Sequence, residues 1–321
     1  TAPTCSAAYS PGDAPGDYVT SCAGGASANY AFNYIAGNFH VAKAGSTVSV
    51  DCTAGAPHTY TGAAQTPCTA TWHSTGLDGQ SGAASIDTYH NNVNAGAATV
   101  DASWAGDANH TGSLGSGGFT IAKAPSSTVV TCPANVTYTG SALTPCNVAV
   151  TGVGGLSLAP TPTYLNNIVG LATASYTYAG DANHLGSSGS KTFLILYASA
   201  GLCDGEAGHQ ILQPINADGS SVFKNGSTVP AKFRVCDGSG HSIGTPGLVL
   251  SFFNTGTSIA GSVPIDESIY SNTPDTQFRW DPTAQQWIFN MSTKGLKQGV
   301  TYFYLITLND TSTISFQFTL K

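Results

Sequence analysis

Asp107 and His110 stand three residues apart in WAGDANHTGSLGSGGFTI (104–121), and Asp181 and His184 repeat that spacing in YAGDANHLGSSGSKTFLI (178–195). A carboxylate beside an imidazole can orient a general base, or share a metal ion with it. Either use needs more than a pair: a metal needs further ligands, and acid–base work needs a cleft around one copy. Neither stretch offers these. Gly106 and Gly180 precede the acids, and short Asp and Asn side chains hydrogen-bond the backbone of turns. An enzyme needs one active site, whereas every domain of an array needs the same corner. The duplication therefore predicts two structural corners, with no catalytic residue, metal or cofactor.

Other constellations are weaker. Asp266–Glu267 is an adjacent carboxylate pair, but neighbours on a strand face opposite ways; a solvated loop is expected. Asn216, Asp218 and Ser220 in NADGSS (216–221) alternate oxygen groups as calcium loops do, without the closing bidentate acid. No Gly-x-Ser-x-Gly nucleophile elbow, His-Glu-x-x-His or Walker-type loop is expected. Trp280 and Trp287 could stack on sugars. Yet Phe278, Trp280, Trp287 and Phe289 flank DPTAQQ as a hairpin with its apolar face in a core.

The elements around these residues are strands. Ala98, Val100, Ala102 and Trp104 alternate with Thr99, Asp101, Ser103 and Ala105, and Ala172, Ala174, Tyr176 and Tyr178 keep the same phase. Such a period of two marks a strand with one buried face. After it, about a dozen Gly, Ser, Asp and Asn residues are expected to form a loop, before a second strand at Phe119/Ile121 and Phe193/Ile195. Three blocks recur in order. AKAGSTVSVDC (42–52) matches AKAPSSTVVTC (122–132), TYTGAAQTPC (59–68) matches TYTGSALTPC (137–146), and the AGDANH segments complete the unit. A period of about 75–80 residues suits tandem β-sandwiches rather than solenoids.

Cysteines follow the repeat. Cys52 with Cys68 and Cys132 with Cys146 occupy equivalent places, so a bridge inside each unit is expected. By elimination Cys5 pairs with Cys22 and Cys203 with Cys236. Regular disulfides indicate an oxidising, extracellular setting. Residues 1–200 hold three Lys/Arg and eight Asp/Glu, which leaves no basic patch for nucleic acid. No apolar run is long enough for a membrane span. Asn-x-Ser/Thr sequons begin at Asn109, Asn135, Asn225, Asn290 and Asn309, candidate glycan sites on exposed loops.

Residues 43–197 resemble bacterial Ig-like repeats, whose last hairpin carries a Tyr-x-Gly-Asp-x-Asn-His wording. Residues 1–43, above all NYAFNYIAGNFHV, resemble the C-terminal half of an MBG-type bacterial Ig-like domain. From Gly201 the chain resembles a PxKF domain, through Val229-Pro230-Ala231-Lys232-Phe233 and FRWDPTAQQWIFNMSTKGL (278–296). The resemblance implies an all-β chain of tandem Ig-like β-sandwiches in an elongated array. Its divisions are a half-domain at 1–43, repeats at 44–122 and 123–199, and a C-terminal domain at 200–321. It implies a cell-surface or secreted protein, structural or adhesive, and brings no catalytic residues with it. Scarce lysine argues against Lys–Asn crosslinks.

Two function classes follow. One is the structural subunit of a surface fibre, its partner a second copy. The other is an adhesive module binding surface glycans, or the non-catalytic tail of a larger secreted protein. The ends bear on the choice. Strands are expected near DYVTSC, ANYAFNYI and NFHVAKA, with Tyr30, Phe32 and Tyr34 lacking a covering sheet and open to a subunit contact. Either the chain is a piece of a longer array, or a neighbouring copy completes this half. TISFQFTLK (313–321) is expected to close its own sheet.

Overall fold

The computed structural model describes residues 1–258, 263–264 and 275–321. The chain is all-β: among the described residues a 3-10 turn at Val153–Gly155 is the one helical element. Its contacts divide it into two compact units. One comprises Thr1–Ser126 with Thr151–Leu156 and Ala179–Gly186. The other comprises Ser127–Val150, Ser157–Tyr178 and Ser187–Lys321.

The first repeat holds seven strands in two sheets. Strands β1 (Thr4–Ala7), β2 (Gly16–Ala23) and β3 (Gly37–Val41) precede it as a three-stranded sheet. Then come β4 (Ser46–Asp51), β5 (His58–Thr59), β6 (Thr69–Ser74), β7 (Ser81–Ala83), β8 (Ser85–His90), β9 (Gly96–Gly106) and β10 (Thr111–Ala122). One sheet runs β4-β6-β7 and the other β5-β10-β9-β8, with β5 parallel to β10. The second repeat copies this topology. Its strands are β11 (Ser126–Thr131), β12 (Asn135–Thr137), β13 (Asn147–Gly152), β14 (Ser157–Leu158), β15 (Thr163–Leu165), β16 (Gly170–Tyr178) and β17 (Ser187–Leu196). They are ordered β11-β13-β14 and β12-β17-β16-β15, with β12 parallel to β17.

The loop expected after β9 is mostly strand. β9 ends at Gly106 and β10 begins at Thr111, so Thr111–Gly118 lies in the ladder, and β17 likewise takes in Ser187–Thr192. The physical reason is close approach. A Cβ on Gly115 would sit 2.6 Å from the Val48 carbonyl oxygen, and one on Gly117 2.7 Å from Val50 Cγ1. The glycines let β4 lie against β10 and do not mark a turn.

The C-terminal part packs two sheets on one core. Its strands are β18 (Leu202–Cys203), β19 (Glu206–Ala207), β20 (Ile211–Leu212), β21 (Val222–Phe223), β22 (Thr228–Phe233), β23 (Val249–Thr257), β24 (Val263–Pro264), β25 (Arg279–Asp281), β26 (Gln286–Ser292), β27 (Thr301–Leu308) and β28 (Thr313–Leu320). The larger sheets are β20-β22-β26-β25 and β21-β28-β27-β23-β24. Alternate residues of β22, β26, β27 and β28, among them Phe233, Phe289, Ile306 and Phe318, meet in one buried cluster. β28 is paired on both sides, antiparallel to β27 and parallel to β21. The last strand thus pairs within its own sheet, along its length with β27 and at Thr319–Leu320 with β21.

At the other end, residues 24–36 form no strand, contrary to the expectation for ANYAFNYI. Tyr30, Phe32 and Tyr34 are exposed. Phe32 and Tyr34 stack at 6.2 Å, and the Gly25 N–H donates to the Tyr34 hydroxyl at 2.6 Å. Alternation survives, but β2 and β3 pair directly with each other, so the intervening backbone has no ladder to join.

Candidate functional site

Each repeated corner is built by one carboxylate. Asp107 Oδ1 accepts the Asn109 and His110 N–H groups at 2.8 and 2.7 Å, and faces His110 Nδ1 at 2.8 Å. Asp181 does the same for Asn183 and His184, at 2.7 Å for both amides and 3.0 Å for the ring. Gly106 and Gly180 enter the turns at φ of +83° and +89°, a region open to glycine at little cost. A Cβ there would also lie within 2.7 Å of backbone atoms.

The corner receives the incoming chain. The Ala44 N–H donates to the Asn109 carbonyl at 2.9 Å, and the Thr111 N–H returns to the Ala44 carbonyl at 2.8 Å. Ala124 makes the same two bonds with Asn183 and Leu185. The lysine before each alanine adds a third, Lys43 Nζ to the Asp107 carbonyl at 2.6 Å and Lys123 Nζ to that of Asp181. AKA and AGDANH are two halves of one joint.

The rings are spent as well. His110 is buried, and its Nε2 meets Asp78 Oδ2 at 2.6 Å while Nδ1 meets Asp107. In the second corner Nε2 of His184 meets the Val153 carbonyl at 2.9 Å. Two acceptors, one at each ring nitrogen, favour the doubly protonated form of an imidazole. Hydrogen bonds from Asp107 and then Asp78 raise the His110 pKa, and the Val153 carbonyl and then Asp181 raise that of His184. A doubly protonated ring has no lone pair for a metal or a substrate proton. Trp72 and Trp104 stack at 3.7 Å beside His110, with ring centroids 5.2 and 6.0 Å from it. Their π faces favour a cation there. Sequence reasoning passed over Asp78 and Trp72, since neither recurs; in the second repeat the Val153 carbonyl stands where Asp78 does in the first.

The raised values have a stability consequence. Each folded corner binds its proton more tightly than the unfolded chain, whose His pKa is about 6.5. The contribution is therefore complete below that value and lost as pH rises through the higher folded one. Thermal melts should show stability falling on the alkaline side, with a flatter profile for the His110→Asn/His184→Asn double variant. Burial lowers the His209 pKa and acts oppositely, so the comparison is of slopes. Equal slopes in chain and variant would remove the charged-ring assignment.

The remaining residues singled out in the sequence fall as follows. Disulfides join Cys5–Cys22, Cys52–Cys68, Cys132–Cys146 and Cys203–Cys236, consistent with an oxidising environment. Asp218 Oδ1 accepts the Ser220 N–H and hydroxyl at 3.0 and 2.6 Å, so NADGSS closes on itself as a turn. Trp287 is buried and its indole N–H donates to the Ile243 carbonyl at 2.8 Å, while Trp280 lies against Gly244. Asp266–Glu267 lies outside the described residues. Among the described residues no three His, Cys, Asp or Glu side chains gather as a metal-ligand set, and no helix is long and apolar enough to cross a membrane.

The sequons differ in exposure. Asn109 and Asn135 are exposed. Asn225 Nδ2 donates to the Leu296 carbonyl at 2.7 Å, Asn309 Oδ1 accepts from Tyr197, and Asn290 sits within β26. Asn225 and Asn309 are half-buried in turns, and Asn290 is half-buried in its strand. The expected absence of a Gly-x-Ser-x-Gly pattern is wrong: Gly240-His241-Ser242-Ile243-Gly244 fits it. The Ser242 hydroxyl donates to the Gln285 carbonyl at 2.8 Å, and His241 faces Asp204 rather than the serine. No strand–turn–helix elbow surrounds it.

The N-terminal sheet is the site that remains. β1-β2-β3 corresponds to β8-β9-β10 and to β15-β16-β17. Gly16 faces Val41 and Tyr18 faces Phe39, as Gly96 faces Ile121 and Ala98 faces Phe119, and as Gly170 faces Ile195 and Ala172 faces Phe193. In the repeats this face is sealed: Ala98, Val100 and Ile121 are at most 1% exposed. In the N-terminal sheet no residue is buried. Its apolar side is carried by Tyr9, Tyr18 and Phe39, whose rings cluster with centroids 5.1–5.8 Å apart. These, rather than Tyr30, Phe32 and Tyr34, line the face that the repeats cover with a second sheet. No model of a known protein family matches the chain, and no curated protein matches it.

Proposed function

We propose that this chain is a non-catalytic structural subunit of an extracellular fibre, assembling head to tail with its tandem Ig-like domains in series. The observation that carries the reading is the half-sandwich at residues 1–43. It keeps the order and register of β8-β9-β10 and β15-β16-β17, and none of its residues is buried. An open sheet is a template for another chain, and a contact between unlike ends propagates without closing. The glycan-binding alternative relies on Trp280 and Trp287; Trp287 is buried and Trp280 is half-buried against the same core.

The test is assembly. Sedimentation of the purified chain should give a concentration-dependent series of oligomers. Phe39→Asp should remain monomeric while keeping the Cys5–Cys22 bridge. A wild-type chain that stays monomeric into the millimolar range would overturn the proposal.

A further inference from the structure

The two corners use the same asparagine differently. In the second, the Asn183 side chain is half-buried and ties the corner to the turn before β9. Its Oδ1 accepts the Ala95 N–H at 2.9 Å, and its Nδ2 donates to Asn94 Oδ1 at 3.1 Å. In the first, the pairing of Gly16 with Val41, like that of Gly96 with Ile121, puts Ala14 and Pro15 in the places of Asn94 and Ala95. Proline has no N–H and alanine no amide oxygen, so neither partner of the side chain is present. Asn109 is exposed, and among the described residues its side-chain amide makes no hydrogen bond. Its backbone carbonyl still accepts the Ala44 N–H, as that of Asn183 accepts the Ala124 N–H.

The corners also differ two residues further on. Asn109-His110-Thr111 is an acceptor sequon, whereas Asn183-His184-Leu185 is not. The asparagine without structural partners is therefore the one followed by a threonine. The other four sequons are held. Asn225 and Asn309 spend their side chains on the Leu296 carbonyl and the Tyr197 hydroxyl. Asn290 is half-buried in β26, and Asn135 pairs with Leu194 in the β12 ladder. Asn109 stands in the connection between β9 and β10. It alone of the five has an acid two residues before it, Asp107, a charge that a basic group of a transferring enzyme can engage.

We propose that Asn109 is a glycosylation site, modified by an enzyme that transfers a glycan from a polyprenyl diphosphate carrier. Asn109 Nδ2 bonds to the anomeric carbon of the first sugar as the bond from that carbon to the diphosphate oxygen breaks. Nδ2 gives up one proton, and the diphosphate leaves with its polyprenol. The linkage leaves the joint intact, since the Asn109 N–H and carbonyl keep their bonds to Asp107 and Ala44. Such transfer requires export, with which the four disulfides are consistent, and does not require assembly into a fibre.

Peptide mass spectrometry of the protein purified from the cells that make it should find the Asn109 peptide heavier by a glycan in most molecules. The peptides of Asn135, Asn225, Asn290 and Asn309 should carry none. Asn109→Gln and Thr111→Val should each lose that mass while the Cys52–Cys68 bridge still forms, and Thr111→Ser should keep it. Leu185→Thr supplies the contrast. It writes the same sequon into the second corner, where Asn183 is engaged with Ala95 and Asn94, and should add no glycan. An unmodified Asn109, or a glycan at any of the other four asparagines in its place, would overturn the site. Equal modification of Asn183 in Leu185→Thr would overturn the part given to the free side chain.

Discussion

Phe318→Ala is expected to cost about 3–5 kcal/mol, the range for deleting a buried aromatic ring. Phe318 is fully buried on β28, with ring centroids 5.6, 5.4 and 6.4 Å from those of Phe223, Tyr304 and Tyr302. Those neighbours sit on β21 and β27, on either side of β28, so the hole cannot be filled by a single rotamer change. The loss should appear as a lower urea midpoint for the transition reporting the C-terminal core, with little change in slope. Phe303→Ala supplies the contrast. Phe303 is on adjacent β27 with its side chain on the outer face, and its truncation should cost about 0.5 kcal/mol or less. Equal costs would mean that the two faces of the sheet have been exchanged.

Gly115→Val should destabilise the first repeat by about 1–3 kcal/mol, the usual penalty for overfilling a packed contact. The new Cβ would lie 2.6 Å from the Val48 carbonyl oxygen and 2.7 Å from Val48 Cγ1. Because the nearer atom is backbone, β4 itself has to move. Ser116→Val, one residue along and facing solvent, should be close to neutral. If valine were tolerated equally at both positions, Thr111–Gly118 would be the loop that its composition suggests.

That contrast shows what a sequence of this composition conceals. Alternation at Ala98, Val100 and Ala102 reads as a half-buried strand because side-chain size reports which face is covered. At Gly115 and Gly117 the covered face is marked by missing side chains, which local composition cannot separate from a flexible loop. The corners divide in the same way. Asp107, Asn109 and His110 act within four residues, so their wording carries the turn. Asp78 and Trp72 reach His110 from 32 and 38 residues away, by contacts that only the folded sandwich creates. In the N-terminal segment the conspicuous Tyr30, Phe32 and Tyr34 drew attention from Tyr9, Tyr18 and Phe39, which are scattered in sequence and gathered by the pairing of β2 with β3.

The cysteine bridges have a mechanical meaning. They span 17, 16, 14 and 33 residues, and none joins one repeat to the other. When a chain is pulled from its ends, the residues inside a bridged loop cannot pay out. At about 3.3–3.6 Å per extended residue, the Cys52–Cys68 bridge withholds roughly 50 Å of slack from a ruptured first repeat. Each bridge therefore sets how far its own segment can lengthen after its sheets have torn. Reducing agent would show in a force–extension trace as longer steps between successive peaks.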